Sequence, residues 1–125
     1  MHVGFQFQPL EKEQITHTQL VRYAGASGDF NPIHTVATFG EQAGLGGVIA
    51  HGMLIMGFVG QAIGTWLPLR NLAMFSVRFQ AMTRPGEAIT VTGSVVGETE
   101  KRWLCEAFAQ NGTDVKVKAQ FEVEK

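Results

Sequence analysis

Cysteine is nearly missing from this chain: Cys105 is the only one among 125 residues. No intrachain disulfide can form, and such usage suits a reducing compartment. A surplus of one charge is missing too, with ten Lys plus Arg against eleven Asp plus Glu. Nucleic-acid binders usually carry a basic excess or stripe, so no nucleic-acid partner is expected, although the few basic residues suffice for one phosphate-bearing ligand. No repeat, low-complexity tract or charge block is present. No Gly-rich phosphate loop follows a strand, and there is no nucleophile elbow. His2 and His17 stand apart from any Cys, Asp or Glu at ligand spacing, so no metal site is expected. The stretch Met1-His2-Val3-Gly4-Phe5-Gln6 lacks the basic-then-apolar pattern of a secretory signal, which makes the cytoplasm the expected location.

Charge is also absent between Glu41 and Arg70, which raises the question of a membrane span. Gln42, His51 and Gln61 interrupt the stretch, and Gly44, Gly46 and Gly47 mark a loop inside it. Its continuous helical part, about Gly52 to Trp66, would reach only ~22 Å against a hydrocarbon core of ~30 Å. A buried helix is the better expectation, with no membrane span.

The length supports one domain over residues 1–125. So small a domain leaves apolar surface hard to cover, which favours an oligomer, in the first place a homodimer. Leu10 to Thr16 suits a short strand. Thr16 then caps a helix, with Gln19 three residues on, and Leu20, Val21, Ala24 and Ser27 give that helix a narrow face. Gly25 and Gly28 weaken and end it. A second short helix is predicted from Val36 to Ala43, with Gly44 at its C-cap. The longest helix runs from Gly52 to Trp66 and stops before Pro68. Being apolar all round, it is expected to be enclosed. Gly57, Gly60 and Gly64 each cost ~1 kcal/mol relative to Ala there, tolerable where a sheet, a partner helix or a ligand must come close.

The remainder alternates as strands do. Phe75, Val77, Phe79 and Ala81 oppose Ser76, Arg78 and Gln80. Ile89, Val91 and Val95 oppose Thr90, Thr92 and Ser94. In the last strand Val115, Val117, Ala119, Phe121 and Val123 face away from Lys116, Lys118, Gln120, Glu122 and Glu124. Arg84-Pro85-Gly86-Glu87 and Asn111-Gly112 read as turns. A sheet with one dry face needs a cover, and the long helix can supply it. The expected class is α+β, a curved antiparallel sheet wrapped around a central helix.

The chemistry concentrates in Gly28-Asp29-Phe30-Asn31-Pro32-Ile33-His34. Pro32 pushes Asn31 into an extended conformation, and Gly28 permits a sharp entry, so one rigid turn presents Asp29 and His34 close enough to share a water. A carboxylate and a histidine together can take and deliver protons. His51-Gly52-Met53, opening the long helix, offers an amide N–H where developing negative charge is favoured. Asp29 and Asn31 in a Gly/Pro-containing loop also suit turn stabilisation, the commoner role for such residues. His34 and His51 equally suit structural positions. Residue chemistry alone stops at a soluble α+β domain with one notable loop.

The segment Gly28 to His34, followed by Ile49-Ala50-His51-Gly52-Met53, resembles the MaoC-like dehydratases, also called hydratase 2. Within them it is most similar to the short catalytic dehydratase subunits of mycolate-forming fatty-acid synthesis. The resemblance covers nearly the whole chain, including Val77-Arg78-Phe79 and Arg84-Pro85-Gly86-Glu87. It implies a hot-dog fold whose dimers share a continuous sheet, with substrate tunnels near the interface. It also implies cofactor-free, reversible hydration of a trans-2-enoyl thioester, on CoA or acyl carrier protein, to the (R)-3-hydroxyacyl thioester. By it, Asp29 and His34 are the catalytic pair and the Gly52 amide is the oxyanion donor. Asn31 and His51 fall at substrate-positioning sites, and Gly60 and Ile63 near positions that line the acyl pocket. Ala26, Gly40 and Val36 depart from the pattern beside the loop, where a larger aliphatic residue or Gly, Ala or Ser, and an acidic residue are usual. Two alternatives stay open: a hot-dog thioesterase, which would not need His34 after Asn-Pro, and a non-catalytic acyl-thioester-binding subunit of a heterodimer.

Overall fold

The computed structural model describes residues 1–125. Five strands, β1 (Leu10–Gln14), β2 (Leu72–Phe79), β3 (Ala88–Glu98), β4 (Arg102–Asn111) and β5 (Asp114–Glu124), form one antiparallel sheet in the order β1-β3-β4-β5-β2. The two hairpins β3–β4 and β4–β5 build its centre. The second turns at Gly112, whose φ of 58° suits glycine after asparagine in a tight hairpin. β1 and β2 are the edges. The helix α3 (Gly52–Trp66) lies on the dry face, as alternation along the strands requires.

The helix buries Leu54, Ile55, Phe58, Val59, Ala62 and Ile63 against a wall that includes Ile89, Val91, Val95, Val117, Phe121 and Val123. Each large side chain so buried contributes about 1.5–3 kcal/mol. Small residues line up across the middle of the sheet, Gly93 beside Ala107 beside Ala119, and let the helix come down close. Trp66 ends the helix over this row. A Cβ on Gly93 would stand 2.6 Å from its ring, so only glycine fits. Trp66 also stacks on Phe7 with ring centroids 4.8 Å apart and donates Nε1–H to the Gln8 carbonyl at 2.6 Å.

Enclosure of α3, expected from its all-round apolarity, holds on one side only. Met53, Gly57, Gln61, Gly64 and Thr65 are exposed. The sheet covers the Leu54–Ile55–Phe58–Val59 side, and the glycines face the other way. A Cβ on Gly57 or Gly60 would meet nothing within 4 Å, so these glycines do not make room for the sheet. No helix is long and apolar enough to cross a membrane.

Lys116 also departs from its expected place on the wet face, being only 3% exposed. The β4–β5 register shifts between Ala109 and Gln110, and the chain from 80 to 87 folds over this end of the sheet. It supplies acceptors for the ammonium: Met82 O at 2.9 Å, Glu87 Oε1 at 2.9 Å and, from β5 itself, Asp114 Oδ2 at 2.6 Å. Burial is tolerated because every proton has a partner.

Two short helices precede α3. In α1 (His17–Ser27) the Thr16 hydroxyl accepts the Gln19 N–H at 3.1 Å, and Gly28, at φ 77°, closes the helix onto Ala24 O. Leu20 and Ala24 are buried while Val21 is half exposed, so the packed face is narrower than the four residues expected. The other, α2 (Ala37–Gln42), is one residue shorter at each end than predicted. Ala43, not Gly44, is its C-cap. Gly40 in α2 packs against backbone: a Cβ there would stand 1.9 Å from Gly47 O.

Candidate active site

Gly28 turns the chain out of α1, and Pro32 starts a single 3-10 turn, Pro32–His34, with Asn31 extended before it (φ −56°, ψ 122°). Two successive side-chain turns make the loop rigid. Asp29 Oδ1 accepts the Asn31 N–H at 3.2 Å, and Asn31 Oδ1 accepts the Ile33 N–H at 3.2 Å. Ser27 Oγ accepts the Asp29 N–H at 3.1 Å. Turn stabilisation leaves Asp29 available for chemistry, because only one carboxylate oxygen is used up. The other, Oδ2, stands 3.7 Å from His34 Nε2, a separation that one water can bridge with a hydrogen bond to each atom.

The tautomers follow from the partners. His34 Nδ1 lies 2.8 Å from Ile49 O. A carbonyl only accepts, so Nδ1 carries the proton and Nε2, facing Asp29, is free to take one. His51 is 2% exposed and its Nε2–H donates to the Asp29 carbonyl at 3.1 Å. Its ring stacks on His34 with centroids 3.8 Å apart and meets Tyr23 edge-on at 4.7 Å. Burial lowers the His51 pKa, a lowering the Asp29 carbonyl bond only partly offsets, and the neighbouring His34 adds to it. His51 is thus a neutral ring under His34 that fixes the Asp29 backbone, and its Nδ1 has no partner.

The third element is the start of α3. His51 is its N-cap but makes no side-chain cap bond, and the Gly52 N–H has no partner in the chain. Gly52 and His34 both line a cavity of about 340 Å³, together with Ile49, Ala50, Ile55 and Val117 and, from the chain after β2, Phe79 to Thr83. That segment is held on both sides: Ala50 N–H donates to Thr83 O at 2.8 Å, and Lys116 reaches Met82 O. Arg84 ties it further to the Leu45 carbonyl. Thr83 is 2% exposed and its Oγ1 has no hydrogen-bond partner, which costs about 1–3 kcal/mol in a buried hydroxyl.

Of the residues predicted for the site, the fold brings together Asp29, His34, His51 and the Gly52 amide. Asn31 braces the loop through its own carboxamide. Gly60 and Ile63 are not on the cavity wall: Ile63 is 1% exposed in the core, and Gly60 lies toward the open side of α3. Ile55 is the α3 side chain that lines the cavity. Sequence reasoning missed Phe79, Gln80, Met82 and Thr83. Alternation extends the β2 pattern to Ala81, whereas the strand ends at Phe79 and the chain crosses over the mouth of α3. The turn signal at Pro85-Gly86 marked the end of that segment, but not its path.

Asp29, His34 and His51 also place one ligand-type atom each within 4.8 Å of one another. No sequence spacing announced this donor set, because its members come from the loop and from the entry to α3. Two of its imidazole nitrogens are already committed to backbone carbonyls. The atoms left over, His34 Nε2 and Asp29 Oδ2, face each other at 3.7 Å, with His51 Nδ1 beside them.

A family model described as MaoC like domain matches residues 3–117. The chain is 34% identical over 85 residues to an (R)-specific enoyl-CoA hydratase of Rhodospirillum rubrum, covering 66% of this chain and 59% of that protein. It is 33% identical over 82 residues to a 3-hydroxybutyryl-CoA dehydratase of Methylorubrum extorquens, covering 64% and 52%. It therefore spans just over half the length of these curated relatives. Among solved structures it is similar to the unliganded R-hydratase PhaJ1 of Pseudomonas aeruginosa, with a TM-score of 0.85 at 26% identity, over 99% of this chain and 81% of that one. The curved sheet around α3 is the hot-dog fold these relatives share.

Proposed function

Because this chain belongs to the MaoC-like dehydratase family, we propose that it adds water reversibly to the double bond of a trans-2-enoyl thioester, giving the (R)-3-hydroxyacyl thioester. The carrier is CoA or acyl carrier protein, and residues 1–125 act as one catalytic unit within a cytoplasmic homodimer. The observation that carries this reading is the approach of Asp29 Oδ2 to His34 Nε2 at 3.7 Å, beside a cavity that also presents the free Gly52 amide.

A water held between Oδ2 and Nε2 gives a proton to the pair as its oxygen bonds to Cβ. The electron pair of the double bond moves toward the thioester carbonyl, whose oxygen becomes negative. The Gly52 N–H and the N-terminal end of α3 stabilise that charge. The pair then returns one proton to Cα and regains its starting state. His51, neutral and buried, holds the Asp29 backbone beneath the pair.

Incubation with crotonyl-CoA tests the proposal. The expected result is loss of enoyl absorbance without release of free thiol. Thiol release would identify a thioesterase instead, and binding without either change would identify a non-catalytic acyl-thioester carrier.

A further inference from the structure

We propose that the Thr83 hydroxyl is a second ligand-binding group of this cavity, donating a hydrogen bond to the thioester carbonyl oxygen alongside the Gly52 amide. The proposal rests on the hydratase reading and deepens it.

Three observations carry it. First, the backbone on either side of Thr83 is anchored. Thr83 O accepts from Ala50 N–H at 2.8 Å, Met82 O accepts from Lys116 at 2.9 Å, and Arg84 N–H donates to Glu87 Oε2 at 2.7 Å. The residue is held in place through its carbonyl, while its hydroxyl has no partner in the chain. Second, that oxygen is buried with no partner. A valine would fill the same volume without an orphaned polar atom, so the hydroxyl gains nothing from the rest of the chain; its partner belongs to whatever enters the cavity. Third, the wall around it is mostly apolar. Ile49, Ala50, Ile55, Phe79, Met82 and Val117 line it, and the other polar side chains there are His34 and Gln80.

Position selects the carbonyl oxygen over other ligand atoms. Thr83 pairs through its backbone with Ala50, two residues before Gly52, so both donors sit at the same end of α3. His34, which handles the protons, hangs from Ile49 on the same segment. A carbonyl has two lone pairs, and one amide N–H satisfies only one of them. A hydroxyl proton can turn about the Cβ–Oγ1 bond to donate to the second as negative charge grows on that oxygen.

Thr83→Val and Thr83→Ser decide the matter. The valine variant should melt at or above the wild-type temperature, because an unsatisfied buried hydroxyl is removed. Its kcat/KM on crotonyl-CoA should nevertheless fall at least ~10-fold, a modest share of what one oxyanion donor supplies. The serine variant, which keeps the hydroxyl, should stay within about threefold of wild type. Wild-type kcat/KM in the valine variant, or equal losses in both variants, would overturn the proposal. A second measurement is independent of turnover: calorimetric affinity for butyryl-CoA and for S-butyl-CoA, which has no carbonyl. Thr83→Val should weaken the first and leave the second unchanged. Equal effects on both ligands, or binding of neither by wild type, would reject the role of Thr83. Selective weakening in a protein that does not hydrate crotonyl-CoA would uphold Thr83 and reject the hydratase reading alone.

Discussion

At the scale of single residues, the loop shows how one side chain serves two ends. Asp29 spends Oδ1 on its own turn and offers Oδ2 to His34. Asparagine at 29 keeps an oxygen for the turn and loses the charge. Asp29→Asn is therefore expected to fold as wild type does, yet lose at least ~100-fold in turnover, the low end of what a positioned acid–base group contributes. His34→Ala should lose as much. In the proposed mechanism the two atoms share one water, so the double variant should be little worse than the poorer single variant. Melting temperature and single-turnover hydration measured on the same samples test this. Lost stability with activity per folded molecule intact would assign Asp29 to turn stabilisation alone. Cys105 takes no part: it is buried on β4, and burial pushes its thiol up to about 11, too high for a thiolate nucleophile at neutral pH.

Among the elements, the connection from β2 to β3 is the one with most riding on it, since it walls the cavity and is clamped by Lys116 and Glu87. Burial opposes the charge on Glu87, but hydrogen bonds from Lys116, the Arg84 amide and Asn111 outweigh it and hold the carboxyl below its usual range. Its contribution is complete above the ordinary carboxylate pKa of about 4.3 and disappears as pH falls through the lower folded value. Burial likewise opposes the charge on Lys116, while Asp114 and Glu87 raise its pKa; that contribution is complete below about 10.4 and is lost only as pH rises through the higher folded value. Glu87→Gln should thus cost on the order of 1–3 kcal/mol at neutral pH. The gap in melting temperature from wild type should close as pH drops below about 4.3. A gap that stayed constant down to the acid limb would mean the clamp does not depend on charge. Gly40 in α2 gives a second test. Gly40→Ala drives a methyl into the Gly47 carbonyl, which is backbone and cannot rotate aside, so a loss of ~1–3 kcal/mol is expected in thermal unfolding. The same contact gives the physical reason why glycine stands at a position where the family resemblance leads one to expect Ala or Ser. Much of this architecture was legible beforehand: α3 runs over the residues its apolar run and Pro68 marked out, and β3 and β5 present the alternation the sequence carries. The buried Lys116 and the path of 80 to 83 were not legible. Both depend on a register shift and a chain crossing that bring distant residues together, and alternation carries no record of either. The loop could be read because its Asp-x-Asn-Pro chemistry is local, whereas Thr83 enters the site only through a hydrogen bond to Ala50.

For the whole molecule, the open side of α3 and the free edge of β2 point to a second copy. Met53, Phe79 and Met82 are each about half exposed or more, at 57%, 51% and 49%. An unpaired edge next to exposed apolar side chains is the arrangement that soluble proteins cover. Sedimentation is expected to show a dimer in dilute solution, and an active, stable monomer would count against it. There is a consequence for how this chain can vary. Ile49 contributes its carbonyl to His34, Ala50 its N–H to Thr83, His51 its ring to Asp29 and Gly52 its free amide. Three of these four contributions are main-chain groups, set by the path of the backbone, although a Cβ at Gly52 would stand 3.1 Å from the Phe79 ring. That segment is therefore constrained in length more than in composition. In a library of single-residue insertions, one extra residue anywhere from Ile49 to Gly52 would throw every later contact out of phase. One added at Asn111-Gly112, at the tip of its hairpin, would leave the site in register.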